Sequence, residues 1–549
     1  MSIHSPIDLL MQWVKERPNE PYLHQPVNGQ WRSYTWSEVA DQAQRMATAL
    51  KALDLAPGAR VAISGMNTAH WYMADAAITM AGCVTVGLYP NQAPEHVSYI
   101  LEHSETQVLF LGPMPDIDSF LKAVPPGIRV VQMPYPGVPE QALKWSVLVQ
   151  EHAPLTEMPQ PKPDQLMTLI YTSGTTGHPK GVMVSYGNMM FAADGLIEAM
   201  PSRGRERLLC YLPLAHAFER GAVELTSMVL GAQVYFIESV DKLQAALQYA
   251  RPTRFFGVPL VYNRIQSGVL RLLPQHKIDR LMRIPILSGI VKRKVLKGLG
   301  LDKAHLCIVG AAPMPIPLLE WFDKIGLTIY QGYGMTENAI YATTNRPGMN
   351  RVGSVGKTMP GAHMKIADDG EILFRHGAVM QGYYKEPEKT RETFTDDGWL
   401  KTGDVGRVDA DGYLYITGRV KEIFKTAKGK YVAPAPIEGQ LARNHDIDQV
   451  CFVGNNLKQP IMLVSLNEDA RNKPREEVEA GLISDMEAVN ATLEPHEAIA
   501  KMVVVKDSWS VDNGLATPTF KVRRAQVEKR YGELLEAESQ TRNKLSWEA

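Results

Sequence analysis

Leu169-Ile-Tyr-Thr-Ser-Gly-Thr-Thr-Gly-His-Pro-Lys-Gly-Val-Met-Val184 decides how this chain is read. Apolar, strand-like residues lead into a loop holding Gly174, Gly177 and Gly181, hydroxyls on Thr172, Ser173, Thr175 and Thr176, and the cation Lys180. Glycines let backbone N–H groups turn toward an anion, hydroxyls add donors and a lysine adds charge, as a triphosphate requires. It is not a Walker A loop: Lys180 is followed by Gly181, so the G-x-x-x-x-G-K-[ST] spacing fails. Taken alone, a Gly/Thr loop of this kind reads equally as a flexible surface turn.

Outward from the loop, strand and helix signals alternate. Thr35-x-x-Glu38 is a capping box that opens a helix with Val39, Ala43, Met46, Ala47 and Leu50 on one face. Arg60–Gly65 and Val84–Leu88 read as short apolar strands, with a helical stretch between them ending near Gly82. The alternation returns at Val108–Leu111, Val234–Ile237, Phe255–Val258 and Leu306–Val309, which predicts an α/β fold: a parallel sheet flanked by helices. After about Gly353 the pattern turns to short β segments at Lys365–Ile366, Glu371–Phe374 and Gly406–Thr417, punctuated by Asp369-Gly370 and Asp411-Gly412. A boundary near Thr417–Lys421 is expected, dividing a large domain over 1–418 from a smaller α+β domain over 419–549.

Composition narrows the class. The 549 residues carry 58 Lys+Arg against 59 Asp+Glu, so a net charge of −1 gives no electrostatic reason to expect a nucleic-acid partner. Cys83, Cys210, Cys307 and Cys451 form no C-x-x-C pair, which argues against a zinc site and suits a reducing compartment. The first residues lack a basic segment followed by an apolar run, and the apolar Ala74–Tyr89 stretch is broken by Asp75 and too short for the ~18 apolar residues of a membrane span. A cytoplasmic enzyme is expected.

Tyr171-Thr-Ser-Gly-Thr-Thr-Gly-His-Pro-Lys-Gly181 resembles the signature loop of the adenylate-forming superfamily of acyl-CoA synthetases, luciferases and peptide-synthetase adenylation domains. Further signatures follow in the order of that family: Gly310-Ala-Ala-Pro313, Gln331-Gly-Tyr-Gly-Met-Thr-Glu337, Thr402-Gly-Asp404 and Gly418-Arg-Val-Lys421. Leu212–Arg220, Phe424–Pro434 and Thr517-Pro-Thr-Phe-Lys521 look like the long-chain fatty acyl-CoA synthetase branch. The resemblance implies a large domain of sandwiched α/β subdomains with a β-rich subdomain, and a small mobile C-terminal domain. It implies joining of a medium- to long-chain fatty carboxylate to ATP, then thioester formation with CoA. A fatty acyl-AMP ligase serving an acyl carrier protein, and a catalytically silent nucleotide-binding scaffold, are the alternatives.

Carried over residue by residue, the resemblance gives Thr172, Ser173, Gly174, Thr175, Thr176 and Lys180 to the β- and γ-phosphates, and Thr172 with Glu337 to Mg²⁺. It gives Thr336 to the α-phosphate, and Tyr333 to adenine, against Gly310, Ala311, Ala312 and Pro313. Gln331, Gly332, Gly334 and Met335 belong to the same nucleotide motif, and Asp404 with Arg419 receives the ribose. Lys521 is the implied catalytic lysine, with Arg523 and Arg524 close enough in sequence for either to act instead. Lys421 is the implied hinge. Gly429 and Lys425 belong to a loop implied in the CoA step, where Lys425, Lys428 and Lys430 face phosphates or solvent. His216 and Phe218 are implied at the acyl substrate, with Met189 and Met190 as tunnel or core residues.

One segment lies outside these motifs. Ile286-Leu-Ser-Gly-Ile-Val-Lys-Arg-Lys-Val-Leu-Lys-Gly-Leu299 has an apolar stripe of Ile286, Leu287, Ile290, Val291 and Val295 backed by Lys292, Arg293, Lys294 and Lys297. It reads either as a surface helix with its stripe on the core or as a peripheral contact with an anionic membrane face.

Overall fold

A computed structural model describes residues 5–172, 178–427, 430–455, 457–510, 513–517, 522–541 and 543–548. The predicted capping box forms: Thr35 Oγ1 accepts the Glu38 amide at 3.2 Å and Glu38 Oε2 accepts the Thr35 amide at 2.7 Å, starting the Trp36–Lys51 helix. Val39, Ala43, Met46, Ala47 and Leu50 are all buried along it, so the helical period read from the sequence is the face that meets the core.

The fold is α/β. An eight-stranded sheet runs in the order Gly382–Tyr383, Lys180–Ser185, Leu166–Thr172, Val84–Leu88, Arg60–Ser64, Thr106–Leu111, Arg129–Gln132 and Leu143–Lys144. The last six are parallel, and Lys180–Ser185 turns back antiparallel onto Leu166–Thr172. Val84–Leu88 is buried throughout, as a parallel strand covered on both faces must be. A five-stranded sheet opens with parallel strands Arg254–Gly257, Leu306–Val309 and Ile329–Tyr333. A four-stranded sheet joins Arg207–Cys210, Gln233–Phe236, Pro21–Val27 and Gln30–Thr35.

The β-rich part is an antiparallel sheet of His363–Ile366, Glu371–Arg375, Leu400–Val408 and Leu414–Arg419. The expected Gly406–Thr417 segment is thus two strands, turned at Asp411-Gly412, where Gly412 takes φ +85. From Phe424 onward the chain has its own two apolar cores, built on a sheet of Ile447–Val453, Ile461–Leu466, Lys501–Val505 and Leu545–Trp547. Their buried members all lie at 424 or beyond, which makes the C-terminal part a separate folding unit. Among the described residues no helix is long and apolar enough to cross a membrane.

Candidate active site

Parallel strands point their carboxyl ends at one place. Leu166–Thr172 ends at Thr172, Leu306–Val309 runs into Gly310, and Ile329–Tyr333 ends at Tyr333, all at the rim of one cleft of about 2580 Å³. Ligands in open α/β sheets bind outside such ends. The C-terminal part closes the other side with Lys421, Lys425, Glu438 and Arg523. Ser173, Gly174, Thr175, Thr176, Gly429 and Lys521 lie outside the described residues.

Lys180 opens the returning strand and holds its Nζ 4.8 Å from the centre of the Tyr383 ring. Partial burial, then the cations of Lys389 and Lys421, push its ammonium below the ordinary lysine value. Three cations therefore face one end of the cleft. Lys389 and Tyr383 carry no sign of this in the sequence, because their neighbourhood with Lys180 exists only across the strand pair Lys180–Ser185 and Gly382–Tyr383.

Glu337 sits in a turn that is costly to make. Ala339 and Ile340 have φ of +49 and +58, and a left-handed backbone disfavours a β-branched residue by about 1–3 kcal/mol. The turn is tied down by the Met335 amide on Asn338 Oδ1 (2.9 Å) and the Met380 amide on the Glu337 carbonyl (2.8 Å). Gly334 is required here, since a Cβ would stand 2.4 Å from the Ile340 backbone. Thr336 is buried, and the Glu337 side chain reaches the cleft, where Tyr383 Oη donates to its Oε1 at 2.8 Å. Beside it Ala311 takes φ +66, so the Gly310–Pro313 loop is also held in an unfavourable conformation at the cleft.

Asp404 is buried and has both oxygens engaged. Tyr333 Oη donates to Oδ2 at 2.6 Å and Arg419 Nε to Oδ1 at 2.8 Å. Asp404 and Arg419 face each other because they are register partners across Leu400–Val408 and Leu414–Arg419. The Tyr333 hydroxyl thus binds the carboxylate expected at the ribose, a contact that the two separate motifs do not reveal. Gln331, Gly332 and Met335 line the cleft around it.

One stretch of the cleft wall is apolar. The Tyr186–Ala199 helix presents Met189, Ala192, Ala193 and Leu196, spaced i, i+3, i+4 and i+7, and His216, Phe218, Gly221, Ala222 and Leu225 form another wall. Both methionines pack in the core, one of the two expected placements, and only Met189 also borders the cleft, because one helical residue turns a side chain through about 100°. His216 caps the short helix that follows, with Nδ1 accepting the Phe218 amide at 3.0 Å. Tyr341 also lines this channel, its Oη donating to the Pro360 carbonyl at 2.7 Å; it fits only because residue 195 is glycine, where a Cβ would lie 1.6 Å from Oη.

Behind the second wall is a buried charge network that sequence motifs missed. Arg220 and Thr85 both donate to Asp75 Oδ1 at 2.6 Å, and Glu219 Oε1 accepts the Tyr211 amide at 2.8 Å. Burial pushes the Glu219 carboxyl up to about 8 and raises Glu224 in the same direction. The chain from Arg220 to Leu225 is a π-helix, a bulge common at functional sites, which turns the channel residues one way and the charges the other. The available signal was the placement of Glu219, Arg220 and Glu224 in an otherwise apolar run.

In the C-terminal part, the Arg524 guanidinium is held by its own domain. It donates to the Phe452 carbonyl (2.6 Å) and pairs with Glu438 (2.8 Å), so its charge is spent inside the domain. Arg523 borders the cleft as Arg524 does, but among the described residues its guanidinium reaches only the Gly514 carbonyl, at 3.4 Å.

Residues 10–384 match the family described as AMP-binding enzyme, and residues 421–541 match its C-terminal domain. The chain is 31% identical to the long-chain-fatty-acid–CoA ligase FadD15 of Mycobacterium bovis, with 96% of each protein covered. It is 28% identical to human long-chain-fatty-acid–CoA ligase 1, covering 93% of this chain and 82% of that one. Among solved structures, the anthranilate CoA ligase AuaEII with anthranoyl-AMP superposes with a TM-score of 0.81 at 23% identity, over 97% of this chain and 98% of that one. The o-succinylbenzoate CoA synthetase of Bacillus subtilis with ATP and magnesium gives 0.72 at 24% identity, over 95% and 99%.

Proposed function

The chain belongs to the AMP-binding enzyme family, and from that premise we propose that it activates a medium- to long-chain fatty acid with ATP and transfers the acyl group to CoA. One observation carries this reading: a single cleft joins an apolar channel to a polar end holding Lys180, Thr336, Glu337 and Asp404. A fatty carboxylate lying in the channel has its head group beside the phosphates and its chain among Met189, Leu196, Phe218 and Leu225.

In the first step a carboxylate oxygen attacks the α-phosphorus and pyrophosphate leaves. Both reactants are anions, so the site must neutralise their repulsion and the charge of the pentavalent phosphorus. Lys180, backed by Lys389 and Lys421, serves the β- and γ-phosphates with the Thr172–Thr176 loop; Thr336 donates to the α-phosphate. Tyr333 covers adenine. Asp404, with one lone pair on each oxygen already taken, accepts the ribose hydroxyls through the remaining ones, and Arg419 holds it in place. Lys521 bridges the carboxylate and α-phosphate. Mg²⁺ suits this donor set, since it prefers one or two carboxylates with phosphates and water, and Glu337 with Thr172 supplies the protein's share. When bound, Mg²⁺ offsets phosphate charge. Tyr383 keeps the Glu337 carboxylate turned toward the cleft.

In the second step the CoA sulfur attacks the acyl carbonyl carbon and AMP leaves. Lys421 is the hinge about which the C-terminal domain turns, and Gly429 leaves room for the pantetheine arm beside Lys425. Four buried, unpaired cysteines support a reducing, cytoplasmic setting.

The test is single-turnover quantitation of acyl-AMP and acyl-CoA with a panel of carboxylates from butyrate to stearate. Lys521→Ala should lose acyl-AMP formation by about a hundredfold, ~3 kcal/mol of transition-state stabilisation, yet convert synthetic acyl-adenylate to thioester. Gly429→Leu should accumulate acyl-AMP. Equal damage to both steps in both variants overturns the assignment, and pyrophosphate release without acyl-CoA moves the acceptor to a carrier protein.

A further inference from the structure

The helix Pro285–Leu299 is only half embedded. Its C-terminal end is fixed: Leu299 is buried, Gly300 ends the helix at φ +75, and Gln244 and Gln248 donate to the Gly298 carbonyl. Val291, Val295 and Leu296 turn inward, and the aliphatic stem of Lys292 lies over Gly326. The apolar stripe read from the sequence is therefore split. Its N-terminal half stands in solvent: Ile286 is 80% exposed, Ile290 57% and Ile284 47%, with Leu287 also exposed.

Ile286, Ile290, Arg293 and Lys297 recur at i, i+4, i+7 and i+11, so they share one outward face, apolar at the tip and cationic toward the base. The tip has no side-chain cap, which leaves its first amides open to solvent. Between residues 277 and 297 there are seven Lys and Arg and one carboxylate, Asp279, which already pairs with Lys324. In a chain of net charge −1 this is a strong local excess.

We propose that this tip docks on an anionic lipid bilayer, with Ile284, Ile286, Leu287 and Ile290 entering the headgroup–acyl boundary and Arg293, Lys294 and Lys297 at the phosphate level. An apolar apex rimmed by cations matches that surface: the interface takes aliphatic side chains while its lipid phosphates attract the cations around them. A second copy of this chain is a poor occupant, because two such faces repel. A nucleic acid would engage the cations and leave the isoleucines in water. The tip lies outside the cleft, so its occupancy does not depend on which carboxylate the enzyme activates.

The experiment is flotation of the full chain with vesicles of equal parts phosphatidylglycerol and phosphatidylethanolamine, and with phosphatidylcholine vesicles, over a range of salt. The wild type should float with the anionic vesicles, be released by salt and ignore phosphatidylcholine. Ile286→Asp/Ile290→Asp should lower the bound fraction about tenfold or more, and Arg293→Glu/Lys294→Glu/Lys297→Glu should do the same. Both sets change exposed positions, and circular dichroism and acyl-CoA formation from soluble substrate should stay at wild-type values, separating lost docking from lost folding. No flotation of the wild type, or equal flotation of all three proteins, overturns the proposal. A dimer that the aspartate variant converts to monomer in sedimentation velocity assigns the face to a second copy instead.

Discussion

Glu337 joins a strained turn, a cleft and a phenol, and each link can be cut separately. Glu337→Ala should reduce ATP–pyrophosphate exchange by about a hundredfold, ~3 kcal/mol, with unchanged circular dichroism. Exchange near the wild-type rate in a folded variant removes Glu337 from the phosphate site. Tyr383→Phe keeps the ring against Lys180 and deletes only the 2.8 Å hydrogen bond to Glu337 Oε1. A hydrogen bond to a charged group is worth about 1.5–3 kcal/mol, so kcat/KM for ATP should fall roughly ten- to hundredfold. The free-magnesium requirement should rise with it; an unchanged magnesium titration would reduce Tyr383 to packing. Glu337 was legible because it closes a motif. Tyr383 was not, because 46 residues separate it from Glu337 and only the pairing of Gly382–Tyr383 with Lys180–Ser185 brings it near.

Two elements line the apolar channel proposed for the acyl chain, and each is held by something the channel does not show. Asp75→Asn leaves Arg220 buried without its counter-ion, and removing one partner of such a pair costs about 3–5 kcal/mol, measurable as a lower urea midpoint. Glu219 gives the pH signature. Its carboxyl stays neutral in the fold up to about 8, while in the unfolded chain it ionises near the ordinary value. Its contribution is therefore complete at acid pH and lost as pH rises toward 8, a decline of ~4–5 kcal/mol for a shift of that size. Glu219→Gln should flatten that decline in denaturant titrations across the range; an unaltered slope means Glu219 ionises normally. On the facing helix, Gly195→Ala forces the Tyr341 ring off its seat, and Tyr341 lines the channel. Activity on stearate should fall at least tenfold relative to butyrate; a parallel loss on both acids points to folding rather than channel shape. The helix face Met189–Leu196 could be read from its spacing, but the Gly195–Tyr341 contact joins residues 146 apart and has no sequence signature.

For the whole molecule, the decisive feature is that two independently cored parts share one cleft. In the proposed reaction, rotation about the joining segment lets one cleft serve both steps. Lys421→Pro fixes φ near −65° and should permit acyl-AMP formation while slowing thioester formation about tenfold or more. Lys421→Ala, which removes the charge but leaves the backbone free, separates the hinge from the cation beside Lys180: transfer should survive, with ATP binding weakened. Equal loss of transfer in both variants would assign Lys421 to charge alone.

Sequence by itself determined the alternation of strand and helix, the capping box at Thr35, the change to β hairpins after Gly353 and the order of the nucleotide motifs. Those are local matters, set by periodicity, by turn residues and by groups that must be contiguous to surround a phosphate. Only the tertiary structure decided that Tyr333 bonds Asp404, that Arg524 is consumed by Glu438, that Lys389 and Lys421 stand beside Lys180, and that Ile286 and Ile290 face solvent. Each of these depends on strand register or on which neighbour covers a face, and neither is fixed by residues adjacent in the chain.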